Sequence, residues 1–239
     1  MRNWHILFLS LLFLGNGSNA GITIESSRVV FSASDRERSL MLANSNDYPV
    51  LIQTWVDNGA LKNMPENVDN VPVIPLPSVF RLEPKEKKNL RLLATHVPQA
   101  TDRESLYWLN VYEISPTETK FSVDLSTVKV AVRLQLKLFF RPENLTPVPD
   151  KIAEKQHIEL LRSPGKTSIK VSNPTPYFVT YNSLILASEN GEHILSPGML
   201  SPFSSKTIDT GVSAHWQPLR IILELIDDNG KVVNENRRI

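Results

Sequence analysis

Residues 128–138 read VKVAVRLQLKL. Val128, Val130, Val132, Leu134, Leu136 and Leu138 take alternate positions, and Lys129, Ala131, Arg133, Gln135 and Lys137 fill the places between. Successive side chains of a β-strand point to opposite faces, so the pattern predicts one strand with an apolar face and a solvated polar face. These 11 residues span roughly 36 Å at strand rise, whereas a typical strand holds about 5–6 residues. From Leu134 onward, ordinary half-burial in a β-sandwich accounts for the pattern. Toward Val128 the apolar face is longer than one domain needs to cover. An uncovered apolar edge strand invites pairing with other chains, so a protein that keeps one is expected to use it on a partner.

The residues before this stretch also read as strands. Ile22–Phe31 is β-branched and extended, Ser39–Ala43 is short and apolar, and Pro49–Val56 carries Trp55. Val71–Phe80 is broken by Pro72, Pro75 and Pro77, which suits an edge or irregular strand. Asn89–Ala94 and Ser105–Ile114 alternate, and Val128–Phe140 closes the series. Seven short strands in about 120 residues predict an immunoglobulin-like sandwich, a fold in which a tryptophan on the third strand often fills the core. Trp55 lies on the third candidate.

A break follows. Arg141–Asp150 contains Pro142, Pro147 and Pro149, which cannot continue a central strand and make a natural hinge. Beyond it, His157–Arg162, Ser168–Ser172, Tyr177–Ala187, Ser204–Asp209, Arg220–Asp227 and Lys231–Val233 predict a second, smaller sandwich or barrel, with one helical turn over Lys151–Lys155. Asp227-Asp228-Asn229-Gly230 reads as a hairpin turn. The expected layout is an all-β protein of two sandwich domains, 21–143 and 144–239, behind a leader at 1–20.

The leader rests on its own signals. Arg2 and His5 precede the apolar run Ile6–Leu14, and Ser18-Asn19-Ala20 puts small residues at the places a signal peptidase needs, so cleavage is expected after Ala20. The apolar run is about half of the roughly 20 residues a spanning helix requires. The chain has 26 Lys+Arg against 25 Asp+Glu, and the leader removes only Arg2. Neither nucleic acid nor a charged tail is indicated. With no cysteine in its 239 residues, the protein has no disulfide, thiol nucleophile or thiolate metal site, and an exported fold must rely on its core. His5, His96, His157, His193 and His215 lack metal-ligand spacing, there is no G-x-S-x-G, and nine glycines form no phosphate loop. No catalytic constellation, cofactor or small-molecule substrate is expected.

Several runs resemble the periplasmic chaperones of chaperone–usher pilus assembly. They are SRVVF (27–31), PVLIQTWVD (49–57), DRESLYWLNVYEI (102–114) with Pro116, LKLFFRP (136–142), NPTPYFVT (173–180) and IDDNG (226–230). The resemblance covers nearly all of 21–239. Ser115 stands where the family commonly has a proline, and Gln99 where it has an apolar residue. Asp227-Asp228-Asn229-Gly230 differs from the usual final turn. The gap between Ser115 and Thr127 is short and free of cysteine, as in the short-loop class associated with rod-like pili.

The resemblance implies two immunoglobulin-like domains in a boomerang arrangement, periplasmic localisation, and pilus or fimbrial subunits and an outer-membrane usher as partners. Val128, Val130, Val132 and Leu134 would complete a subunit by donor-strand complementation. Arg28 and Lys137 would anchor the subunit's C-terminal carboxylate. Glu104, Arg141 and Asp228 would form an inter-domain charge network that sets the angle between domains. Two alternatives stay open from the residues alone: a fimbrial structural subunit, and another exported β-sandwich enzyme or binding module.

Overall fold

A computed structural model describes residues 21–60, 62–65, 70–115, 131–189, 191–213, 216 and 218–238. The N-terminal half holds nine strands: β1 (Ile22–Ile24), β2 (Arg28–Ser32), β3 (Glu37–Asn44), β4 (Val50–Asp57), β5 (Val73–Leu76), β6 (Val79–Leu82), β7 (Lys87–Ala94), β8 (Ser105–Ile114) and β9 (Val132–Arg141). They build a four-stranded sheet in the order β1-β3-β7-β5 and a five-stranded sheet in the order β2-β9-β8-β4-β6. Leu40, Leu42, Leu90 and Leu92 from one sheet meet Ile52, Leu109, Val111 and Leu138 from the other in a single buried core. Each of these residues alternates along its strand with an outward-facing neighbour, the pattern a two-sheet sandwich requires.

Two of the seven expected strands prove to be two strands each. Ile22–Phe31 divides because Ile22–Ile24 pairs with β3 while Arg28–Ser32 crosses to the other sheet and pairs with β9. The segment 71–80 divides at Pro77 and Ser78, so that β5 joins β7 and β6 joins β4. Trp55 corrects a third expectation. It is buried, at 5% exposure, but not in the inter-sheet core. On β4 the core positions are Val50, Ile52 and Val56. Trp55 faces the opposite side, where its indole Nε1 donates to Asp57 Oδ2 at 2.9 Å and the Arg133 guanidinium lies 4.7 Å from its ring.

A 3-10 turn at Pro149–Lys151 and α1 (Ile152–Lys155) lead into the second domain. Its strands are β10 (His157–Ser163), β11 (Lys166–Asn173), β12 (Val179–Ser188), β13 (Gly191–Leu195), β14 (Met199–Leu200), β15 (Ser204–Asp209), β16 (Arg220–Ile226) and β17 (Val232–Arg238). One sheet runs β10-β11-β15; the other runs β13-β12-β16-β17, with β14 also paired to β12. Ile169, Val171, Leu184, Leu186, Leu223 and Leu225 form its core. The sequence reading missed β13 and β14, which are short and lack strict alternation.

The segment between domains is tied down at Tyr177, whose hydroxyl donates to the Pro147 carbonyl at 2.8 Å. The β16–β17 turn is the hairpin expected at 227–230. Asp227 Oδ1 accepts from the Asn229 and Lys231 amides, and Gly230 adopts φ +78°. A Cβ at Gly230 would sit 2.6 Å from Ser27 Oγ. Glycine therefore serves both the backbone conformation and the close approach of this turn to the N-terminal domain.

Candidate functional site

β9 is flanked unequally. On one side β8 accompanies it from Val132 (opposite Glu113) to Phe140 (opposite Ser105). On the other, β2 runs parallel to it from Lys137 (opposite Arg28) to Arg141 (opposite Ser32). Among the described residues, no strand takes the second edge of Val132–Leu136. Exposure falls along the strand toward β2. Val132 is 41% exposed, Leu134 is half-buried, and Leu136 and Leu138 are buried at 5% and 0%. Val128 and Val130 lie outside the described residues. Within them, the apolar face emerges from its own domain as the strand is followed back toward Val132.

The open edge ends at two cations. Arg28 begins β2 and is buried at 7% exposure. Its Nη1 donates to the Ile226 carbonyl of the second domain at 3.0 Å, while Nε is buried with no hydrogen-bond partner. The guanidinium lies 6.0 Å from the Phe139 ring centroid. Lys137 is its register partner on β9, and Nζ donates to Thr180 Oγ1, again in the second domain, at 3.1 Å.

Burial lowers the pKa of Arg28 below the ordinary guanidinium value, against the pull of Asp228, Asp227 and Glu104. Burial, and then the charge of Arg28, lowers that of Lys137. Neither cation has a carboxylate within ion-pair distance among the described residues. A desolvated pair of like charges with a spare buried donor gains from an anion, because charge-assisted hydrogen bonds are the stronger kind.

Beside this pair lies the second constellation. Arg141 Nε donates to Glu104 Oε1 at 2.7 Å, and its Nη1 and Nη2 bind Asp228 bidentately at 2.6 and 2.8 Å. Glu104 Oε2 accepts the Phe178 amide at 2.8 Å, and the Glu104 amide donates to the Pro176 carbonyl at 2.9 Å. One arginine at the end of β9 thus joins the start of β8 to the β16–β17 turn. Burial raises the pKa of Glu104, and Arg141 and the Phe178 amide oppose that shift. For Arg141, burial would lower the pKa, but Asp228 and Glu104 outweigh it and the group stays firmly charged. The Phe139 and Phe178 rings pack 5.8 Å apart across the same junction. Arg28, Glu104 and Arg141 line one inter-domain cleft of about 620 Å³ with Phe178, Ile226 and Asp228.

The sequence reading overlooked the second-domain partners, the Ile226 carbonyl and Thr180, which adjoin β9 only through the meeting of the domains. It also took the polar face of β9 as merely solvated. Arg133 instead donates to Asn110 Oδ1 at 2.8 Å, to the Asn63 carbonyl at 3.0 Å and to Asp57 Oδ2 at 3.1 Å. The asparagine, aspartate and tryptophan around it were visible in the sequence, but not their convergence.

A two-domain β-sandwich with an open strand edge running into one buried and one half-buried cation is the build of a protein that binds extended chains. The chain belongs to the pilus-assembly chaperones. Residues 21–146 match the family described as pili and flagellar-assembly chaperone, PapD N-terminal domain, and residues 153–237 match pili assembly chaperone PapD, C-terminal domain. It is 28% identical to the probable fimbrial chaperone YadV of Escherichia coli strain K12, over 98% of this chain and 96% of that one. The Pseudomonas aeruginosa CupB2 chaperone structure has a TM-score of 0.75 and 34% identity, covering 91% of this chain and all of that one. The fold is also that of the SafB chaperone, solved with the Salmonella enterica SafA pilin. That match has a TM-score of 0.72 and 23% identity, and covers 92% of this chain and 97% of that one. The protein is therefore a fimbrial chaperone, and the structural-subunit alternative falls away.

Proposed function

We propose that this chaperone acts in the periplasm, exported by a leader cut after Ala20. It lends the segment holding Val128, Val130, Val132 and Leu134 to the incomplete sandwich of a pilus or fimbrial subunit, and passes the subunit to an outer-membrane usher. The observation that carries this reading is the open edge of Val132–Leu136 ending on Arg28 and Lys137.

Charge sets the direction of a guest strand on that edge. A guest running parallel to β9 brings its C-terminal carboxylate to the two cations. An antiparallel guest would bring its N-terminal ammonium there, against two like charges. The parallel guest continues the line of β2, which is itself parallel to β9. Anchoring the guest's last residue fixes its register, and a one-residue slip would present polar side chains where apolar ones are needed. Each well-buried Val or Leu contributes about 1.5–3 kcal/mol gross, before ordering and association costs. Glu104, Arg141 and Asp228 hold the domains so that Ile226 and Thr180 stay beside the anchor.

Titration of the chaperone with a subunit, and with the same subunit amidated at its C-terminus, tests the anchor. Tight binding of the free acid and much weaker binding of the amide is expected. Equal binding of the two, or unchanged binding by both Arg28→Ala and Lys137→Ala, would reject the anchoring role.

A further inference from the structure

At the other end of the N-terminal sandwich a buried carboxylate has no cation beside it among the described residues. Glu113 sits on β8 between Ile52 of β4 and Val132 of β9 and is 5% exposed. Its Oε1 accepts Asn46 Nδ2 at 3.0 Å and its Oε2 accepts the Ile22 amide at 3.1 Å. Among the described residues, no lysine or arginine lies within ion-pair distance of it. Buried glutamates are almost always paired. A carboxylate offers about four lone-pair positions, and the described residues supply two partners here.

The missing partner is adjacent in space. The Gly21 nitrogen donates to Asn46 Oδ1 at 2.8 Å, and the Gly21 carbonyl accepts the Ser45 amide at 2.9 Å. A Cβ built on Gly21 would lie 3.7 Å from Glu113 Oε2. Gly21 is also the residue that follows the expected leader cut.

We propose that Glu113, with Asn46, is the receptor for the α-ammonium group that leader removal creates on Gly21. Processing would thereby complete the end of the sandwich from which the lent strand emerges. The inference rests on the reading that the leader is cut after Ala20. Hydrolysis of the Ala20–Gly21 bond by water, catalysed by a signal peptidase, leaves a carboxylate on Ala20 and an ammonium on Gly21.

Before the cut the Gly21 nitrogen has one N–H, and Asn46 takes it. Afterwards it has three N–H bonds and a positive charge, so it can keep Asn46 and also turn a hydrogen toward Glu113. Ile22, the next residue, is part of the core. Retained leader would leave the buried Glu113 carboxylate without a cation beside Val132, its register partner on β9, whereas the processed chain supplies one. Among the described residues, Lys85 and Arg133 are engaged elsewhere. Asp47 and Lys85 pair with each other at 2.9 Å. Arg133 belongs to the opposite face of β9 and is bound to Asp57 and Asn110.

The test uses the protein recovered from the periplasm. Intact mass should place its first residue at Gly21, and the pH dependence of α-amine acylation should give the amine's pKa. The expected result is a pKa at least about one unit, or tenfold in proton affinity, above the ordinary range of about 7.7–8.0. Glu113→Gln should return it to that range. Should that variant fail to fold, selective acetylation of the Gly21 amine in the wild-type protein decides instead. A clear fall in Tm is expected, and an unchanged Tm overturns the inference. A first residue other than Gly21 overturns both the processing reading and this inference. A first residue at Gly21 with an ordinary amine pKa overturns the inference alone.

Discussion

Leu136, Leu138 and Phe140 are sealed in the core of the N-terminal domain, while Val132, a few residues earlier on the same strand and the same face, is 41% exposed. Both halves of β9 pair with β8, and only the second has β2 on its other side. An alternating sequence specifies which way side chains point. Whether anything lies on that side depends on the neighbouring strands and on the opposite sheet. One strand thus has both edges paired over Lys137–Arg141 and one edge open over Val132–Leu136, where its apolar face emerges only toward Val132, with buried Arg28 and half-buried Lys137 at the boundary.

The largest effect is expected at the end of the covered half. Arg141→Ala removes the cation that compensates Glu104, whose side chain is 1% exposed. Loss of one partner of a buried pair costs about 3–5 kcal/mol. Urea unfolding should show that loss at neutral pH, and solution scattering should show altered domain placement. Burial already raises the pKa of Glu104, and without Arg141 it rises further. The variant should therefore recover stability as pH falls and Glu104 takes up a proton, and lose it again as pH rises through that value. A variant as stable as wild type, with unchanged scattering, would reject the network's role.

Leu138→Ala, in the fully buried middle of the covered half, should cost about 2–5 kcal/mol. It is read as a fall in the urea midpoint.

At the boundary the outcome is expected to switch from stability to binding. Arg28→Ala or Lys137→Ala should weaken subunit binding by a factor of about 10–150, from about 1.5–3 kcal/mol per charge-assisted bond. Tm should change by only a few degrees, because each cation is desolvated with no carboxylate at ion-pair distance among the described residues. A bound carboxylate would favour protonated Lys137, so binding takes up protons once the free protein has begun to lose them. Affinity should accordingly fall as pH rises through the lowered pKa of Lys137, below the ordinary lysine value of 10.5. Calorimetry in buffers of different ionisation enthalpy reads that uptake.

The smallest effect is expected in the open half. Val132→Ala should change folding stability by less than about 0.5 kcal/mol, as exposed positions do, and weaken subunit binding several-fold. A stability loss comparable to that of Leu138→Ala would erase the distinction between the two halves.

Much of this was legible in the residues. Within the pattern read over 128–138, alternation from Val132 onward marked β9 and its apolar face, and Ser105–Ile114 was bounded correctly as β8. Asp227-Asp228-Asn229-Gly230 announced its hairpin. These are local matters, fixed by backbone sterics and side-chain periodicity within a few residues. Which strands are neighbours is not local. The division of Ile22–Phe31 into two strands on different sheets, the outward placement of Trp55 and the half-burial of Arg133 against Asp57 and Asn110 follow from contacts between residues far apart in the chain.

The same holds for the site. The sequence supplied Arg28 and Lys137 as two cations more than a hundred positions apart. Parallel pairing of β2 with β9 made them register partners, and the second domain set Ile226 and Thr180 against them, where Arg28 is buried and Lys137 half-buried. Desolvation, which turns an ordinary surface charge into one that seeks an anion, is a property of the assembled fold.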